Sequence, residues 1–257
     1  MILRDISIGN LNLMPEWQDE GIILSNRPYG ELHSVASILT KTHGRQAGLV
    51  QAGQSRKRLS ALQPGCVVGL EWRARLEGQL GTFKVELSKN YFALLIDTPM
   101  RLSALSSLCS LLEITLPERE PQEKLWDASK ALLDILSLSE NENEWLSFFI
   151  KWELGLLREL GFALMLQCCG VTGSTNELAY VSPKTGSAIS KSAAGVYADR
   201  LLVLPMCLGG HTKTKEEFTA GMKITGHFLK KHIFNTINRK LPTPRIRLAN
   251  MVESLNL

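Results

Sequence analysis

"WQDEGIILSNRPYGELHSVASILTKTHGRQAGLVQAG", residues 17–53, decides the fold. It holds three short runs, 17–25, 32–40 and 45–52, rich in β-branched or aromatic residues with partial alternation, and broken by Pro28, Gly30 and a His43-Gly44 turn. Two similar runs follow, 66–74 (CVVGLEWRA) and 82–87 (TFKVEL). Five strands in about eighty residues suit a small barrel. The connecting loop "GQSRKRLSALQPG" would carry much of the positive charge to one side of it.

After Pro99 the periodicity changes. "RLSALSSLCSLLEI" (101–114) and "PQEKLWDASKALLDILSL" (121–138) space apolar residues three and four apart, with Pro121 at a first helical position. Residues 144–160 set Trp145, Phe149, Trp152, Leu156 and Leu160 on one stripe beside Phe148 and Leu157, which predicts a core-facing helix ended by Gly161. The expected organisation is therefore α+β: a β-barrel domain over 14–95 and a mainly helical domain over 96–257. Residues 1–13 stand apart. Met14-Pro15-Glu16-Trp17 has the look of a natural start, so the leader is expected to be untranslated or disordered, with an extra barrel-edge strand as the alternative.

Composition narrows the function. The chain has 257 residues, 44% hydrophobic and 21% charged, with a net charge of +4. No apolar run is long enough for a membrane span and the start lacks a signal-peptide pattern, which predicts a cytoplasmic protein. Five dispersed cysteines, an odd number, predict reduced thiols rather than a disulfide framework. Charge is distributed unevenly: Lys and Arg outnumber Asp and Glu 10 to 7 over 14–95 and 12 to 5 over 166–257, but are outnumbered 12 to 6 between. No acid lies between Glu31 and Glu71, a gap containing Lys41, Arg45, Arg56, Lys57 and Arg58. None lies between Glu217 and Glu253, a gap containing Lys223, Lys230, Lys231, Arg239, Lys240, Arg245 and Arg247. Either gap alone is as readily a solvated basic face; both together favour a nucleic-acid partner.

Catalytic and metal signatures are thin. "GVTGSTN" lacks the Gly-Lys-Ser/Thr ending of a phosphate loop. Cys168-Cys169, with Cys207 and His211 far downstream, lacks the two close pairs of a structural zinc site. "LAYVS" and "SAIS" around the turn "PKTG" predict a hairpin within about 166–191. The histidines look structural, and His227 and His232, separated by lysines, suggest a wet helix face. No His-Glu-x-x-His, Gly-x-Ser-x-Gly or carboxylate cluster is present, so a catalytic site is not expected, and a metal-dependent nuclease is disfavoured.

The segments "WQDEGIIL", "GELHSVASILTKTHGRQAGLVQAGQSRKR", "LQPG", "WRARL" and "LGTF", followed by "LRELGF", "LAYVSPKTGSAIS", "YADRLLVLP" and "LPTPRIRL", resemble, in order, the RecO family of bacterial recombination mediators, most like alphaproteobacterial members. The resemblance spans Trp17 to Leu248. It implies an amino-terminal OB-fold and a carboxy-terminal helical domain, and a nucleoid-associated DNA-repair role: binding single- and double-stranded DNA, annealing strands, and acting with RecR, and in functional connection with RecF, to load RecA onto strands coated by single-stranded-DNA-binding protein (SSB). The acidic, apolar-ended SSB tail is expected in a basic-rimmed apolar groove of the helical domain. Some family members bind zinc through Cys-x-x-Cys-Gly and a second cysteine pair; here the first motif reads Cys169, Gly170, Val171, Thr172, Gly173 and the second region has no cysteine, so the resemblance implies a finger-like hairpin without its metal. The expected DNA contacts are Lys41, Arg45, Arg56, Lys57, Arg58, Lys230, Lys231, Arg239, Arg245 and Arg247. An RNA-binding OB-fold module is the alternative that pattern alone leaves open.

Overall fold

The computed structural model describes residues 15–76, 78–210 and 216–255, with the side chains of Lys57 and Asn143 also outside the described set. The leader 1–13, Met14 and His211 thus lie outside it.

The amino-terminal strands are β1 (Glu16–Tyr29), β2 (His33–Thr40), β3 (Gly44–Val50), β4 (Cys66–Arg73) and β5 (Thr82–Asn90), with helix α1 (Arg56–Ala61) between β3 and β4. They close a barrel in the order β1-β2-β3-β5-β4, antiparallel except for the short β3–β5 pairing at Leu49–Thr82 and Val50–Phe83. This is the OB-fold arrangement. The run Gly21-Ile22-Ile23-Leu24 explains how the barrel is anchored. Ile23 joins Ile38, Val68, Leu70, Trp72 and Phe83 inside the barrel, whereas Ile22 and Leu24 join Leu39 and Val67 in the helical core. A strand buried on both faces reads as an unbroken apolar run rather than an alternation.

β1 runs past its expected end at residue 25, through Pro28. It pairs with β4 only over Glu16–Ile22, so at Pro28 one edge is free and the missing N–H breaks no ladder. The β2–β3 turn is clamped. Gly44 has φ +70°, and a Cβ there would overlap the Glu120 backbone, while Asp19 accepts hydrogen bonds from the Thr42 amide (2.8 Å) and hydroxyl (2.9 Å).

Short α2 (Tyr91–Leu95) leads into α3 (Pro99–Thr115), α4 (Glu123–Leu138) and α5 (Glu142–Glu159). Helix α4 starts two residues beyond Pro121, which therefore precedes the helix instead of opening it. On α5, Trp145, Phe149, Trp152 and Leu156 are buried as the stripe predicts, but Phe148 faces solvent with the Lys151 ammonium over its ring. Gly161 (φ +87°) ends the helix: its amide bonds the Arg158 carbonyl at 3.0 Å and that of Phe162 bonds Leu157 at 2.8 Å, satisfying carbonyls of the last turn.

The expected hairpin is present as β7 (Leu178–Val181) and β8 (Ser187–Ser190), inside a larger sheet of order β6-β8-β7-β9 with β6 (Met165–Cys169) parallel to β8 and the two-residue β9 (Leu202–Val203) at the far edge. Helix α6 (Lys191–Ala194) follows β8; α7 (Glu217–Leu229) continues into a π-helical turn, Lys230–Phe234, and α8 (Thr243–Glu253) packs on α3 and α7. The hairpin is held by packing and by its turn. Leu178, Val181 and Ala188 enter the helical core, His227 Nε2 lies 3.0 Å from the Pro183 carbonyl, and Lys231 Nζ donates to the carbonyls of Pro183 (2.9 Å) and Lys184 (2.6 Å). His227 and His232 therefore do not form a wet face: His232 stacks on Phe162 and on Phe228, at centroid distances of 4.7 and 5.9 Å.

Candidate nucleic-acid interface

The basic loop of the first acid-free gap folds into α1, at one end of the barrel. Leu62, just past the helix, is buried among the barrel's interior residues, and this anchoring turns the polar side of the helix outward. Arg56 is exposed and Arg58 half-buried, and neither makes an ion pair among the described residues. Lys57 lies between them, its side chain outside the described set. The loop entering α1 is tied to the β1–β2 turn, the Gln54 amide donating to Leu32 O at 3.1 Å and its side chain to Ser34 Oγ at 2.8 Å. That turn exposes Tyr29 and Leu32.

The other expected contacts divide by what already occupies them. Lys41 is exposed but holds its ammonium 5.5 Å from the Trp126 ring centroid. Arg45 is tied to the segment joining barrel and helices: Nε donates to Leu116 O at 2.9 Å and Nη1 meets Glu118 at 3.3 Å. Lys231 is committed to the hairpin turn. Lys230, Arg239 and Arg247 are exposed and make no ion pair among the described residues.

Arg245 must be removed from the surface. Its side chain is 2% exposed and pairs with Glu153, which is fully buried: Nε and Nη2 meet the two carboxylate oxygens, the latter at 2.9 Å, and Nη2 also donates to Met222 O (2.9 Å) and Thr225 Oγ1 (3.1 Å). Its Nε and Nη2 donors are taken up by protein and the side chain is almost wholly buried, so it joins α5, α7 and α8 rather than presenting a surface for phosphate. Conversely, Arg27 was missed because Glu31 and Glu20 flank it in sequence. On β1 it shares the outer face with Ser25 and Tyr29, opposite Val35 on β2, because a bulge between Ile23 and Ser25 reverses the alternation that would otherwise place it inside with Ile23. Arg27 and Arg45 meet Arg239, from the distant carboxy-terminal gap, around a cleft of about 570 Å³ between the barrel's outer face and α3. One residue of each acid-free gap thus reaches the same place.

A second groove, of about 380 Å³, runs between α5 and the edge strand β6, with Leu154, Leu164, Met165 and Leu166 as apolar lining and Lys151 and Arg158 as its cations.

The cysteine pair of β6 does not fit a zinc site. Cys169 is buried and its sulfur accepts from the Ser190 amide (3.4 Å) and hydroxyl (3.5 Å). Burial pushes this thiol up, but hydrogen bonds from the Thr172 hydroxyl and from Ser190 outweigh that and bring it down to about 6. The thiolate is surrounded by neutral hydroxyl and amide donors rather than by further thiolates or imidazoles. Cys207 sits apart beside Glu217, its thiol pushed up to about 12 by burial and that carboxylate. No group of three or more His, Cys, Asp or Glu among the described residues could hold a metal.

A closed barrel of this topology, with an acid-free helix at one end and a helical domain presenting further unpaired cations, defines an OB-fold protein with basic surfaces. Comparison with known proteins refines this. The family model described as Recombination protein O N terminal matches residues 14–91, and the one described as Recombination protein O C terminal matches residues 97–241. DNA repair protein RecO of Rhodospirillum centenum is 46% identical over 238 residues, 91% of this chain and 94% of that protein. DNA repair protein RecO of Cereibacter sphaeroides is 46% identical over 93% of this chain and 99% of its own length, and that of Rhodospirillum rubrum 41% identical over 92% and 96%. The chain belongs to the RecO family of DNA repair proteins. No helix among its described residues is long and apolar enough to cross a membrane.

Proposed function

We propose that this chain is a recombination mediator without a catalytic step. It binds single- and double-stranded DNA through backbone phosphates, anneals complementary strands, and with RecR helps load RecA onto SSB-coated strands in the pathway that includes RecF, in the cytoplasm at the nucleoid. The observation that carries this reading is the set of cations that make no ion pair among the described residues, Arg56 and Arg58 on α1 and Lys230, Arg239 and Arg247 in the carboxy-terminal segment. Phosphate contacts carry no sequence information, so they leave base edges free to pair. Two cationic surfaces on one chain can screen the repulsion between two strands as they approach, a service that needs no nucleotide hydrolysis. The groove between α5 and β6 suits the SSB tail: an extended peptide can add to the free edge of β6, its apolar end against Leu154 and Leu164 and its carboxylates near Lys151 and Arg158.

The test is annealing of complementary oligonucleotides without ATP, run on DNA and RNA side by side. Faster annealing of DNA than of RNA supports the mediator; a preference for RNA supports the RNA-binding alternative and overturns it.

A further inference from the structure

The cleft between barrel and helices has a chemistry of its own. Its floor is the outer face of the first three strands, where Ser25 lies opposite Ser37, Ser37 opposite Ala47, and Arg27 opposite Val35. Small side chains therefore lie between the cations. The α3 wall contributes Ser110 and Glu113, the segment after it Glu118, and the carboxy-terminal segment Arg239 and Pro242. Arg27 Nη2 meets Glu113 Oε1 at 2.9 Å, and the same oxygen accepts from Ser25 Oγ at 2.5 Å. Arg45 Nη1 meets Glu118 at 3.3 Å. Arg239 makes no ion pair among the described residues. Ser37 Oγ, on a residue 7% exposed, is buried at the floor without a hydrogen-bond partner. A buried hydroxyl left unpaired in a cation-lined cleft is a vacant place for an acceptor oxygen.

Guanidinium groups bind carboxylate and phosphate with the same fork geometry, so Glu113 and Glu118 present to the arginines what a nucleic-acid backbone would present. Each pair has one well-exposed partner, the Arg27 side chain at 74% and that of Glu118 at 47%, against 20% for Glu113 and 16% for Arg45, so water reaches and partly screens both. Both carboxylates come from the acidic middle of the chain, which otherwise separates the two basic gaps.

We propose that this cleft is a binding site for the phosphodiester backbone of single-stranded DNA, and that Glu113 and Glu118 occupy its arginines as an intramolecular competitor which an incoming strand displaces. The site rests on the DNA-binding function proposed above and adds a regulatory element to it: the helical domain lowers the barrel's affinity for DNA until the carboxylates are moved.

The experiment is the equilibrium binding of a fluorescent oligothymidylate to the full chain at low and moderate salt. Glu113→Gln with Glu118→Gln keeps the hydrogen bonds and removes both charges, and should tighten binding by about three- to tenfold at low salt, the summed value of two solvent-screened ion pairs. The gain should shrink as salt rises, and should vanish when Arg27→Ala and Arg45→Ala, which remove the partners of both carboxylates, are added. Glu123→Gln with Asp127→Asn, the same charge change on the exposed side of α4, should move affinity by less than about twofold, being a screened, distant effect. Glu118→Gln alone should carry about half the logarithmic gain, each pair contributing separately, and decides the matter if the double variant melts early. The latch is overturned if the Gln variants bind like wild type, if the α4 control gains as much, or if the gain survives loss of Arg27 and Arg45. Wild-type binding that is lost in Arg56→Ala with Arg58→Ala, together with no Gln effect, removes the latch and leaves the function standing; a wild type that binds no strand at any salt removes both.

Discussion

Replacing Arg245 is the sharpest test of how the carboxy-terminal basic segment is built. Arg245→Met would retain most of the stem's volume but delete four hydrogen bonds to three residues, leaving the Glu153 carboxylate fully buried with only the Thr225 hydroxyl beside it and the Met222 carbonyl without that donor. Breaking one partner of a buried pair costs about 3–5 kcal/mol, because the remaining charge has neither water nor counter-ion. For a chain of this size each kcal/mol lowers Tm by about 2–4 °C, so the variant should melt about 6–20 °C below wild type. Removing both charges, Arg245→Met with Glu153→Met, should recover much of that loss, since a buried ion pair and an apolar replacement of similar volume are often close in energy. Thermal melts by circular dichroism give the stability, and oligonucleotide binding below the variant's transition gives the affinity. Affinity should stay within about twofold of wild type, as for an interior residue remote from the ligand. An unshifted Tm combined with weakened DNA binding would refute the burial argument and return Arg245 to the surface.

Other consequences are open to direct measurement. Because only hydroxyl and amide groups surround Cys169, elemental analysis should find well under one zinc per chain and chelators should leave Tm unchanged; stoichiometric zinc would contradict this. The Cys169 thiol, brought down to about 6 in the folded chain, contributes stability that is present above its unfolded value near 9 and is lost as pH falls through 6. Urea melts should therefore show wild type gaining stability from pH 6 to 9 relative to Cys169→Ser, with one thiolate visible at 240 nm near pH 7.5; parallel pH profiles would refute it. Cys109 and Cys207, pushed up to about 12, oppose this trend only above pH 9. Lys151→Glu with Arg158→Glu should weaken binding of an SSB tail peptide at least about tenfold, through lost attraction and new repulsion, without changing oligonucleotide affinity; an unchanged peptide affinity would exclude this groove.

Much of this was legible in the sequence because the barrel strands and the α5 stripe each answer to a local rule. The Gly21–Leu24 run, the glycine breaks and the Trp145-Phe149-Trp152 spacing are local consequences of which faces are buried, whereas Pro28 did not end β1 and Pro121 did not open α4. β6 and β9 were not legible, since neither is joined to its sheet partner by a tight turn like the one that revealed the four-residue β7 and β8. The basic residues show where charge patterning fails. A gap in the acids identifies a positive stretch but not the partner across the fold: Glu153 lies 92 positions from Arg245, and Glu118 lies 73 from Arg45. One signal was present for Arg245. It shares a helical face with Leu248 and Val252, three and seven positions on and both buried, whereas Arg247 does not. Arg27 was hidden for other reasons: neighbouring acids masked it, and the bulge after Ile23 that turns it to the open face leaves no mark in the alternation.

The most direct test of the central claim is the salt dependence of single-strand affinity. If four to six cations neutralise phosphates, log affinity should fall against log salt with a slope of about −3 to −4, at about 0.7 per contact. Arg56→Ala, Lys57→Ala and Arg58→Ala together should weaken binding to all sequences alike and flatten that slope by about two. A slope near zero in wild type would contradict phosphate-led binding, and an unchanged affinity and slope in the triple variant would contradict its placement on α1.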